Sequence, residues 1–150
     1  MSIESEELTE AQDDIRAIEG LLSQFGAAVA AGDIETIRAA YCPEAISVFT
    51  GSAGRVRGVS DIVEVWSRHI DAWGDVTIDR TDTLVRIHGD TAWATFTWSG
   101  SGSADGNRYE VGGERWSVVL LWEGGSWRFA QTHSSLPFSD WQSLRVESSS

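Results

Sequence analysis

An α+β domain is predicted by two features of the chain. Apolar residues recur every three or four positions up to Gly74 and every second position beyond it, a change from helical to strand periodicity. The strand-like runs that follow are joined by short glycine-rich turns, which pair successive strands antiparallel. Three amino-terminal helices packed on a strongly curved antiparallel sheet are therefore expected. At 150 residues, 41% hydrophobic and 23% charged, the chain suits one core that buries roughly 70% of its unfolded surface.

Residues 1–13 hold Glu4, Glu6, Glu7, Glu10 and Asp13 and read as an acidic, disordered leader. From Asp14 to Ala31, the residues Ile15, Ile18, Leu22, Phe25 and Val29 make one stripe of an amphipathic helix. Gly32 should cap it, and Asp33 should open a second helix with Ile34, Ile37 and Tyr41 inward, stopped by Pro43. A short strand at 45–49 and a glycine-rich loop at 51–58 come next. Ser60 is the expected cap of a third helix that carries Ile62, Trp66, His69, Ile70 and Trp73 on one side and ends at Gly74. Strands are expected at 76–88, 91–100, 109–122 and 127–135, with a bulge near Asp82 where the apolar face of the first of them changes sides. Residues 138–150 read as a polar tail anchored by Trp141, which leaves 14–137 as the domain.

All 11 basic residues are arginine, against 23 acids, for a net charge of −12. Without lysine there is no Schiff base, no pyridoxal phosphate attachment and no Walker A loop. The negative charge argues against nucleic acid, whose binding rests on cations displacing counterions. The single cysteine, Cys42, allows no internal disulfide and is compatible with a cytoplasmic location. The amino terminus lacks the basic start and apolar run of a signal peptide, and no apolar run is long enough to cross a membrane. Three histidines far apart in sequence, with no cysteine cluster, do not read as a metal site. Gly100-Ser101-Gly102-Ser103 lacks the closing glycine of a nucleophile elbow and reads as a hairpin tip.

The element order, Ala31-Gly32-Asp33, the aromatic Tyr41 before Pro43, Gly58 before the third helix and the segment Trp127 to Pro137 together resemble the SnoaL-like branch of the NTF2-like superfamily. The resemblance covers 14–137 and implies a cone-shaped fold. It also implies a conical pocket for a small, mostly apolar molecule, possible cofactor-free proton transfer of the isomerase, cyclase or dehydratase type, and a homodimer docked through the sheet face. The same superfamily includes non-catalytic ligand-binding and association modules, which stand as the alternative. Within it, ketosteroid isomerases use a tyrosine on the first helix and an aspartate base on the strand after the second. Phe25 and Phe49 occupy those positions here, and a phenyl ring moves no proton. Gln131 replaces the first histidine usual in the last strand.

The candidate catalytic residues are His133, as base or acid, and Arg115, to hold an oxyanion or a ligand carboxylate. Each has a plain structural alternative: a satisfied half-buried histidine, and a salt bridge to Glu110, Glu114 or a helix acid. Tyr41, Trp66, His69, Trp98, Gln131, Phe25 and Phe49 are the expected ligand-binding residues. The helical spacing of Trp66, His69 and Trp73 fits ordinary core packing equally well. No cofactor is implied.

Overall fold

A computed structural model describes residues 3–51 and 53–147. Residues 1–2 of the expected leader, Ser52 of the glycine-rich segment and residues 148–150 of the tail lie outside the described residues. The chain runs α1 (Ile3–Ala31), α2 (Ile34–Ala39), β1 (Tyr41–Phe49), β2 (Gly54–Arg57), α3 (Val59–Ala72), β3 (Gly74–His88), β4 (Thr91–Ala104), β5 (Asn107–Glu123) and β6 (Ser126–Ser135), with a 3-10 turn at Trp141–Leu144. The architecture is α+β, as expected. Six strands form one open sheet in the order β2-β1-β6-β5-β4-β3. The sheet is mixed rather than purely antiparallel, because β1 and β6 pair in parallel.

Helix α1 starts at Ile3, so the described part of the stretch expected to be disordered is helical. Its stripe is buried as predicted: Ile18, Leu22, Phe25 and Val29 are at most 2% exposed. Asp33 caps α2 by accepting from the Thr36 amide, and Gly32 closes α1 with a positive φ of 73°. Tyr41 belongs to β1 and not to the second helix, which ends two residues earlier.

Three further segments differ from expectation. Within the glycine-rich segment, Gly54–Arg57 folds back as β2 on β1, after a turn in which Gly51 and Gly54 take positive φ. Helix α3 is capped at Gly58, without a side-chain bond, rather than at Ser60. The hairpin tip expected between the strands at 91–100 and 109–122 is also mostly strand. Only Asp105 and Gly106 turn, with φ of 51° and 78°, the backbone of a two-residue hairpin.

Helices α1 and α3 lie on one face of the sheet. Phe25 of α1 is at the centre, with ring centroids 5.9 Å from Tyr41, 5.6 Å from Trp66, 5.7 Å from Trp98, 6.1 Å from Trp116 and 5.1 Å from Phe129. One phenyl ring thus ties α1 to α3 and to β1, β4, β5 and β6, edge-to-face with four of these partners and stacked on Trp98 of β4. The bulge expected near Asp82 is present: the β3–β4 register shifts between Thr81 and Leu84, and Asp82 has φ of 54°. It lets β3 bend toward α1, where Arg80 donates to the Glu19 carbonyl and Ser23 Oγ.

Candidate functional site

Beyond the ring cluster, the helices and the sheet part around a cavity of about 220 Å³ that opens to solvent. At roughly 30 Å³ per water this is the space of about seven waters, or of one small cyclic molecule. Helix α3 contributes Trp66 and His69, three residues apart on one side, and Trp73 follows from the extended residue that caps the helix. Strand β3 supplies Val76 to Ile78, β4 supplies Trp98 to Gly102, and β5 supplies Tyr109, Val111, Glu114 and Trp116. Phe49 and Thr50 follow from the end of β1, and Ser134 from β6. Glycine is required at one of these positions: a Cβ on Gly100 would lie 2.0 Å from the Thr77 carbonyl oxygen, so only a bare backbone lets β3 and β4 approach there.

The walls are mainly aromatic. Trp98 and Trp116 are 4.5 Å apart between centroids, and Trp66 lies nearly parallel to Trp116 at 6.3 Å. Trp73 meets Tyr109 edge-on at 5.3 Å. Among these rings sit two ionisable side chains. His69 packs on Trp66 at 5.7 Å and near Trp73 at 6.3 Å, and burial lowers its pKa below the ordinary 6.5. Its imidazole is therefore neutral at pH 7. Glu114 stands opposite Trp98 in the β4–β5 register and accepts the Trp116 indole N–H at 2.7 Å.

Of the residues expected to bind a ligand, Phe49, Trp66, His69 and Trp98 line the cavity. Phe25 and Tyr41 lie behind them in the core, 1% and 2% exposed. Tyr41 accepts from the Trp66 indole at 3.0 Å, and burial pushes its pKa up to about 12. It is a structural support for Trp66 and does not meet the cavity.

Arg115, Gln131 and His133 are not in the cavity at all. All three are exposed on the opposite face of the sheet, where Arg115 donates to Ser135 Oγ and the Leu136 carbonyl. Arg115 faces outward because it alternates with the buried Trp116 on β5, and Gln131 and His133 do so because of a one-residue slip in β6. Trp127 and Phe129 point inward, and strict alternation would put Gln131 and His133 inward as well. The β5–β6 register instead passes from Leu120–Phe129 to Val119–Gln131, which leaves Ala130 as an extra residue. Beyond that bulge Thr132 and Ser134 are the buried pair, and every following side chain has changed face.

Sequence reasoning passed over Glu114 and Tyr109 as site residues. The signal for Glu114 was its spacing of two from Trp116, which places both on one side of a strand. Among the described residues, no group of three or more His, Cys, Asp or Glu side chains is placed to hold a metal. No described helix is long and apolar enough to cross a membrane.

Residues 18–139 match the family model of the SnoaL-like domain, and the chain belongs to that family. No curated protein matches the chain. Solved structures of similar fold include a candidate dehydratase of the NTF2-like family from Streptomyces avermitilis, 17% identical, with a TM-score of 0.77, 85% of this chain covered and 99% of that one. A candidate aromatic ring hydroxylase from Novosphingobium aromaticivorans is 19% identical, with a TM-score of 0.77 and coverages of 85% and 91%. A candidate calcium/calmodulin dependent protein kinase II association domain from Xanthomonas campestris is 19% identical, with a TM-score of 0.71 and coverages of 81% and 86%. At such identities the likeness shows the NTF2-like fold, and one fold hosts unrelated activities.

The position of His69 gives a pH signature. Because burial lowers its folded-state pKa, the unfolded chain takes up the proton first as pH falls. The stability owed to the neutral imidazole is thus complete above about pH 6.5 and lost as pH drops through the folded-state value. Melting temperatures from about pH 7.5 to about 5 should fall more steeply for the native chain than for His69→Asn. Parallel curves would place this imidazole in solvent.

Proposed function

We propose that the protein binds a small, mostly apolar, carbonyl-bearing molecule in the aromatic cavity and moves a proton on it without a cofactor. One observation carries this: a neutral imidazole, His69, stands in the wall of an otherwise largely apolar hollow. A neutral imidazole is the basic form, and a base with a pKa near or below working pH is suited to taking a proton from carbon next to a carbonyl. His69 removes that proton, the electron pair moves to the carbonyl oxygen as an enolate, and the imidazolium returns the proton to carbon or oxygen. Hydroxyl groups of the wall, from Thr50, Ser99 and Ser134, serve as donors to the developing oxyanion. The dehydratase named above is in keeping with such chemistry on this fold.

We also propose self-association through the outer face of the sheet. One cross-strand row there reads Arg86, Trp93, Val119, Gln131, Ile46 and Arg57. Trp93 is 47% and Ile46 39% exposed, so aromatic and aliphatic groups fill the middle of the row while arginines stand at its ends. An apolar centre with a polar rim is the usual anatomy of a protein interface.

Two experiments test these roles. Small cyclic ketones incubated with the protein in heavy water should gain deuterium next to the carbonyl, by NMR, and His69→Ala should slow this by about 10²–10⁴-fold. Equal exchange in the variant, or none with any ketone, removes the catalytic role. In sedimentation velocity the native chain should run as a dimer and Trp93→Glu as a monomer; a monomeric native chain ends the second proposal.

A further inference from the structure

Resting on the cavity role just proposed, we infer that the molecule it accepts carries a positive charge: an amine or quaternary ammonium on an apolar ring system. Three features of the site point to a cation. Among the described residues, Glu114 is the one carboxylate that lines the cavity, and no arginine lines it. Among the described residues no cationic side chain forms an ion pair with Glu114. Its sequence neighbour Arg115 projects to the other side of the sheet, toward Ser135 and Leu136. A half-buried carboxylate among rings, answered only by the Trp116 N–H at 2.7 Å, lacks the counter-charge that such groups normally find.

The walls fit the same ligand. Trp66, Trp73, Trp98, Trp116 and Tyr109 border one hollow, and the negative ring faces of tryptophan and tyrosine attract an ammonium group within about 6 Å. Donation of the Trp116 N–H to a carboxylate increases the electron density of that ring and strengthens this attraction. The long-range field agrees. With a net charge of −12, the whole molecule draws cations and repels anions. Arg115, which would have favoured a ligand carboxylate, is absent from the cavity, so an anionic ligand would meet Glu114 unaided.

The test uses an isosteric pair, phenyltrimethylammonium and tert-butylbenzene, which differ by one charge at nearly constant shape. Binding to the full chain is measured by calorimetry and by thermal shift. The cation should bind at least about tenfold more tightly, a difference of about 1.4 kcal/mol. In Glu114→Gln, whose side-chain carbonyl still accepts from Trp116, that advantage should fall by at least about fivefold, with the ring faces keeping the remainder. If tert-butylbenzene binds as well as the cation to the native chain, the cavity takes apolar molecules and the charge preference is overturned. If the preference survives undiminished in Glu114→Gln, the carboxylate does not select the cation, and the inference is likewise overturned. If neither compound binds, the cavity role itself falls with it.

Discussion

The arrangement depends on Phe25. Placed on α1 by a helical stripe, its ring contacts aromatic side chains from α3 and from four strands. It therefore sets the spacing between the helical layer and the sheet at the closed end. The phenyl ring is 1% exposed and serves as packing, whereas the cavity lies further out, where α3 and the β4–β5 hairpin stand apart. Tyr41 and Trp66 illustrate the same division. The phenol is bound to the indole N–H and held far from ionisation by burial, so its contribution is to orient a wall tryptophan.

The layers were legible in the sequence because each rests on a long, repeated pattern. The α1 stripe, the Asp33 cap, the Asp82 bulge and the change of period at Gly74 all specify local geometry directly. The faces of β5 and β6 were not legible to the same degree. In β5, Trp116, Val118 and Leu120 alternate with Val119 and Leu121, so apolar residues occupy both sides and hydropathy does not choose between them. In β6 the segment after Phe129 is polar on both sides, Gln131 and His133 against Thr132 and Ser134. A single added residue at Ala130 then decides which pair is buried. No local propensity marks that bulge; it follows from pairing with β5 and β1 at once.

That slip sorts the charges. It sends His133 and Gln131 outward, while the strand polarity of β5 sends Arg115 outward and Glu114 inward. The outer face gains arginines around an aromatic and aliphatic centre, and the inner hollow keeps one carboxylate and one neutral imidazole. Under the proposed reading, a hollow of this composition suits base chemistry and a cationic or neutral occupant, and not the anionic ligand that an inward guanidinium would have implied. The SnoaL-like fold supplies the hollow, and the strand register decides which side chains line it.

The most direct test of whether function lies on the inner face is to follow the three imidazole resonances by NMR while phenyltrimethylammonium is added. The account predicts that the His69 signals move in proportion to occupancy while those of His88 and His133 stay in place. Movement of His133 with His69 unaffected would put the binding surface on the outside of the sheet and contradict the account.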